Sequence, residues 1–186
     1  FLYRIRLNEV YLEDVHGDTL GYAGSMTVGI RRINPLKHQV TIRSVNFDKA
    51  YLSLYIDSTH TVNLNYLLEK LKGDGKGEGG WKVKFNNLRV RDSRFSLRSF
   101  DAEPLAYGVN YSDMRLTDIN GDVRHFNPGK DSLSFDIRSF QFREQSGFVL
   151  HRLSGTFSEA RTFLKLYDFR AETPHSSMKG RALTLK

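Results

Sequence analysis

The stretch Trp81-Lys-Val-Lys-Phe85-Asn-Asn-Leu88-Arg-Val90-Arg-Asp92 carries two rhythms in succession. Trp81, Val83 and Phe85 alternate with lysines, the period of a strand with one buried face. The next apolar residue comes three positions on, at Leu88, before alternation resumes at Val90. A step of three reverses the face that a regular strand presents. Phe85, Leu88 and Val90 share a face only if the strand accommodates an extra residue, a β-bulge, between the first two.

The same spacing, apolar-x-x-apolar-x-apolar, recurs at Leu7/Val10/Leu12, Ile42/Val45/Phe47, Tyr111/Met114/Leu116 and Ile137/Phe140/Phe142, with Leu166/Phe169/Ala171 as a decayed copy. Several copies carry an acid at the same later position: Asp14, Asp92, Asp118 and Glu144. A second echo relates Leu116-x-x-Ile119-x-Gly121-x-Val123 to Leu150-x-x-Leu153-x-Gly155-x-Phe157. Such a repeat predicts hairpins stacked in sequence order, each touching mainly its neighbours. Bulges at corresponding places bend every strand alike, and a sheet so bent becomes a trough. One face carries Phe, Leu, Val, Ile and Met, the other Arg89, Arg91, Arg115, Arg138 and Arg143. A single sheet has no second layer, so a helix, a folded-over edge or a ligand must cover the apolar face.

Alternation also marks Met26/Val28/Ile30, Leu52/Leu54/Ile56 and Leu133/Phe135/Ile137. One segment differs. Leu64, Leu67, Leu68 and Leu71 follow helical spacing, with Asn63 placed to cap the first turn, which predicts a short amphipathic helix over 63–72. The glycine-rich 73–80 reads as a flexible tether. The expected organisation is therefore a β segment 1–72 ending in the helix, a linker 73–80, and a β segment 81–186 that continues the array. The fold class is mainly β: an elongated, curved antiparallel sheet with one short helix. Phe1 opens inside a strand pattern and Leu183 and Leu185 close in one, so the chain reads as part of a longer protein.

Composition narrows the chemistry. The chain has 186 residues, is 39% hydrophobic and 12% aromatic, contains no cysteine, and carries a formal charge of +7. It has the apolar content for a core or lined cavity and excludes disulfides and thiolate metal sites. No apolar run has the roughly 20 residues that cross a bilayer. The histidines at 16, 38, 60, 125, 151 and 175 show neither i, i+4 pairing nor an HExxH arrangement, so no metal is expected. Gly75-x-Gly77-x-x-Gly80 matches the dinucleotide fingerprint formally. It follows a helix and precedes a strand, the reverse of the required order, so it reads as linker. Neither a GxSxG elbow nor a P-loop is present, and Glu13/Asp14 show no shared pocket, so no enzyme and no cofactor are expected. The basic, aromatic stretch 82–100 suggests a nucleic-acid surface, but Arg89 and Arg91 alternate with Leu88 and Val90. Stacking platforms need charge and rings together, so nucleic acid is excluded as a partner. The net charge favours an anionic neighbour such as a membrane surface or lipopolysaccharide.

The segment Asp131-Ser-Leu-Ser-Phe-Asp-Ile-Arg-Ser-Phe-Gln-Phe-Arg-Glu-Gln-Ser-Gly-Phe-Val-Leu-His-Arg-Leu-Ser-Gly-Thr-Phe157 resembles the TamB-like branch of the AsmA-like proteins, as these occur in Bacteroidota. So do Asn63-Leu-Asn-Tyr-Leu-Leu-Glu-Lys-Leu71 and Trp81 to Leu97, and the resemblance extends from about Leu7 to Met178. It implies a β-taco groove within an inner-membrane-anchored protein that spans the periplasm. Such a protein passes phospholipid towards the outer membrane, and some are linked to assembly of outer-membrane proteins. Contact with the membrane would then be made by parts of the parent protein outside this sequence. On that reading Phe85, Leu88, Val90, Phe95, Leu97, Tyr111, Met114, Leu116, Ile137, Phe140 and Phe142 line a groove for phospholipid acyl chains. The alternative is a scaffold that holds an outer-membrane strand by adding it to an open edge.

Overall fold

The structure, a computed structural model, describes residues 3–14, 17–64, 82–128, 132–160 and 163–185. Its strands are β1 (Tyr3–Glu13), β2 (Thr19–Asn34), β3 (Gln39–Ile56), β4 (Lys82–Ser99), β5 (Asp113–Pro128), β6 (Ser132–Glu144), β7 (Val149–Ala160), β8 (Phe163–Glu172) and β9 (Ser177–Leu185). All belong to one open sheet in chain order, β1 to β9. The serial array expected from the repeat is what forms.

The sheet is mixed, which corrects the expectation of a wholly antiparallel one. Seven neighbouring pairs are antiparallel, whereas β3 and β4 run parallel. The reason lies in connection length. Residues 57–81 separate these two strands, and a parallel pair needs a crossover of a dozen residues or more. The parallel register sets two copies of the repeat side by side: Ile42 faces Phe85, Val45 faces Leu88, and Phe47 faces Val90. The described segments before and after residues 65–81 thus join along this pair.

The expected helix over 63–72 lies outside the described residues beyond Leu64, as do the linker 73–80 and Trp81. The cap expected of Asn63 concerns those residues too, and what is described of Asn63 is its contact with β3. Its Oδ1 accepts from the Tyr55 N–H (3.0 Å) and its Nδ2 donates to the Ser53 carbonyl (3.2 Å), tying the chain back onto β3.

Steps of three in the sequence coincide with bulges. Glu9, Asp168 and His125 have positive φ, each just before an apolar residue that follows such a step (Val10, Phe169, Phe126). The register of β2 on β3 advances from Ser44 to Ile42 against consecutive residues Gly29 and Ile30, which makes Arg43 the extra residue. A shift between Ile137 and Phe140 does the same in β6. Further bulges centre on Lys49, Asp92 and Asp118, all with φ near +50°. These restore Ala50, Ser93 and Ile119 to the face of Phe47, Val90 and Leu116. The recurrent acids now have physical roles. Asp92 and Asp118 occupy left-handed backbone that Asp tolerates better than branched residues do. Asp14 and Glu144 stand at hairpin turns, where their carboxylates accept turn N–H groups, Asp14 Oδ1 from Asp18 (3.0 Å) and Glu144 Oε2 from Ser146 (2.7 Å).

Little of the molecule is fully buried. Leu20, Ala23, Leu116, Ile119, Leu150 and Phe169 are the hydrophobic residues below a tenth exposed among those described. Extensive contacts between described elements run only between strands adjacent in the sheet. The apolar face is therefore half-buried by its own side chains, with no second layer over it among the described residues.

Candidate functional site

On that face lies a cavity of about 500 Å³ lined from six successive strands. Val10 and Leu12 come from β1, Gly21 and Ala23 from β2, Phe47, Ala50 and Leu52 from β3. β4 gives Leu88, Val90, Ser93 and Phe95, β5 gives Leu116 and Ile119, and β6 gives Phe140. Laid flat, six strands would hold β1 and β6 about 24 Å apart, at about 4.8 Å per step. A single cavity that touches all six makes the face concave there. Its position follows the bulges: Glu9, Lys49, Asp92 and Asp118 lie beside its lining residues in β1, β3, β4 and β5.

The lining alternates large and small. Phe140 lies against Gly121, with its Cδ2 3.0 Å from the position a Cβ there would take. The same device appears further on, where the Cβ position of Gly155 is 2.9 Å from Phe169 Cβ and 2.8 Å from the Tyr167 carbonyl oxygen. Gly155 has φ +145°, so conformation and space both require glycine there. The shared glycine of the two echoed segments thus makes room for a phenylalanine of the following strand.

Ser93 is 2% exposed in these apolar surroundings and fully used. Its Oγ accepts from the Ala50 N–H (3.0 Å) and donates to the Arg91 carbonyl (2.7 Å). The paired bulges at Lys49 and Asp92 interrupt the β3–β4 ladder, and this hydroxyl supplies the missing bond.

Of the groove residues named from sequence, Leu88, Val90, Phe95, Leu116 and Phe140 line the cavity. Leu97 and Met114 face each other, with Leu54 beside Leu97, in the next row of the same face. Ile137 pairs with Val123 and Gly155. Phe142 lines a separate cavity of about 200 Å³ with Val149 and Leu150, its ring 5.8 Å from that of Phe140. Phe85 enters through its backbone register opposite Ile42, and its side chain lies outside the described ones. Tyr111 stands apart from the others. It belongs to the loop before β5 and is 78% exposed. Beyond the cavity the apolar face continues as a ladder of rings, Phe126–Phe135 at 6.0 Å and Phe135–Phe157 at 4.6 Å.

Sequence reasoning omitted Val10, Leu12, Phe47 and Leu52 from the site, although the repeat contained the first three and the alternation the fourth. It also missed the small residues Gly21, Ala23, Ala50 and Ser93, because a search for large apolar side chains cannot see the space between them.

The opposite face is polar. Tyr51 Oη and Ser96 Oγ are 2.9 Å apart, Ser96 Oγ donates to Ser53 Oγ (3.2 Å), and the Arg94 guanidinium sits 5.5 Å from the Tyr51 ring centre. Hydrogen bonds with Ser53 and Ser96, helped by the charges of Arg94 and Arg115, hold the Tyr51 phenol below its ordinary pKa. Asp122 accepts from Arg89 Nη2 (2.8 Å) and from Arg124 Nε (3.2 Å). The bond from Arg124, then that from Arg89, holds its carboxyl below the usual range. Among the described residues no three His, Asp or Glu side chains converge as a metal site.

No model of a known protein family matches the chain, and no curated protein matches it in sequence.

Proposed function

We propose that this chain is a segment of a TamB-like, inner-membrane-anchored periplasmic bridge, in which the apolar face forms a β-taco groove that carries phospholipid acyl chains. The observation that carries the reading is the concavity of about 500 Å³ lined by apolar side chains of six strands. Burial of hydrocarbon gains about 0.8 kcal/mol per CH₂, so an acyl chain laid on this face is strongly held against water. It is held by area alone. A lining of Val, Leu and Phe has no deep polar anchor, so a chain is free to slide while its headgroup stays in water at the open side. The function is carriage without covalent chemistry.

Uptake of a fluorescent phospholipid from vesicles tests this. The unaltered chain should extract the probe, and Leu12→Glu with Leu52→Glu should abolish extraction while the β circular dichroism persists. Extraction undiminished in that variant would exclude the groove.

A second reading rests on the edges. Among the described residues β1 and β9 each have one neighbour in the sheet. Tyr3, Ile5 and Leu7 on β1, and Met178, Leu183 and Leu185 on β9, are more than two-fifths exposed. An unpaired strand offers backbone donors and acceptors to another, so strand addition during outer-membrane protein assembly suits these edges. Ile5→Pro on β1 combined with Leu183→Pro on β9 would hinder such pairing at both edges and leave lipid uptake intact, which separates the two readings.

A further inference from the structure

The polar face holds a larger cavity, about 730 Å³, on the side of the sheet away from the lipid groove. Its floor is built in register. Gly29, Ser44 and Asn87 form one row across β2, β3 and β4, and Thr27 and Asn46 stand in the next. These residues are short, polar and half-buried. No side chain rises from Gly29, where even a Cβ would come within 3.1 Å of Ser44 Oγ. The walls are guanidinium groups: Arg4 and Arg43 at the β1–β3 side, Arg89 and Arg124 at the β4–β5 side.

The charges do not balance. Asp122 is the one acid in the lining, and it already engages Arg89 and Arg124. Arg4 and Arg43 are exposed and have no ion-pair partner among the described residues. A guanidinium fork matches phosphate oxygens two at a time. Two such forks beside a recess suit a phosphate dianion. The recess itself is far larger than a phosphate and falls in the size range of small-molecule sites. Its floor offers hydroxyls and carboxamides, each able both to donate and to accept, as vicinal sugar hydroxyls require.

We infer that this recess binds a phosphorylated saccharide, with Arg4 and Arg43 on the phosphate and Thr27, Ser44, Asn46 and Asn87 on the sugar hydroxyls. The site is independent of the groove and of its lipid. Two sources present the same chemistry: a free sugar phosphate, or a phosphorylated sugar headgroup at a membrane surface.

The test is titration of the ¹⁵N-labelled chain, followed by amide shifts, with glucose 6-phosphate, glucose and inorganic phosphate in parallel. Glucose 6-phosphate should shift Thr27, Gly29, Ser44, Asn46 and Asn87 and bind about tenfold or more tightly than either part alone. Arg4→Ala with Arg43→Ala should weaken it by about tenfold or more, since each exposed arginine can be removed without touching the core. If glucose 6-phosphate is silent but phosphatidylinositol 4-phosphate vesicles bind, and that binding is lost in the double variant, the saccharide is lipid-borne and the site stands. Absence of shifts with every probe would overturn it. So would equal binding of plain phosphatidylglycerol vesicles by the unaltered chain and the double variant, because diffuse charge would then account for the attraction.

Discussion

Ser93 shows how a polar residue earns a place on an apolar face. Two bulges meet between β3 and β4, and without the Ser93 hydroxyl the Ala50 N–H loses its hydrogen-bond partner. Ser93→Ala should therefore destabilise the chain by about 1–3 kcal/mol, the penalty for leaving a part-buried donor unpaired. Urea unfolding measures it, and a loss under about 0.5 kcal/mol would show that the bond is dispensable. Asp122 contributes differently. Its folded-state pKa is depressed by Arg124 and Arg89, so its stabilisation is complete above the unfolded value of about 3.9 and vanishes as pH falls through the folded value. Asp122 is 19% and Arg89 43% exposed, so solvent limits the effect to about 1 kcal/mol at most. Asp122→Asn should be less stable than the unaltered chain at pH 7, and urea titrations should show the difference shrinking as pH falls into the acid range. At this scale the sequence was only partly readable. Phe140 and Val90 announce themselves as lining by size, whereas Gly21, Ala23 and Ala50 shape the same cavity by what they lack.

At the scale of the strand, the bulges decide which side chains share a face. Asp92 has φ +46° and Asp118 +53°, a region in which most side chains are strained and glycine is not. Glycine in a strand interior ordinarily weakens it. At Asp92 the sign should reverse: Asp92→Gly is expected to be neutral or stabilising by up to about 1 kcal/mol, and Asp92→Val destabilising by about 1–2 kcal/mol. Thermal unfolding of the pair checks the bulge, and a regular strand would give the opposite order. The bulges between Leu7 and Val10 and between Ile137 and Phe140 were legible because a step of three admits no other way of keeping each pair on one face, whereas those at Lys49 and Asp92 fall beyond the repeat and were not read. Strand direction was not legible, since alternation looks the same in parallel and antiparallel pairs. The length of the 57–81 connection was the available signal for the crossover. Tyr111 was misplaced for a related reason. Spacing alone cannot tell that β5 starts at Asp113, after a loop that contains Pro104 and Gly108.

At the scale of the molecule, one open nine-stranded sheet presents two unlike faces. The apolar side is a concavity of six strands that runs on into stacked phenylalanines, and the polar side is a recess walled by arginines. A closed core would have hidden the first. Here the described residues leave it half-covered, and a solvated hydrocarbon surface of this extent calls for an occupant. The serial order of the strands was readable from the repeat. Concavity over β1 to β6 was readable only as a consequence of aligned bulges, and the width of the opening depends on backbone geometry that no spacing records. On the function proposed above, phospholipid occupies the concavity. The most direct measurement is native and lipid mass spectrometry on the chain purified without added lipid, beside the Leu12→Glu, Leu52→Glu variant. Phospholipid should be present at near-stoichiometric level on the unaltered chain and absent from the variant. A lipid-free chain, or equal lipid on both proteins, would contradict it.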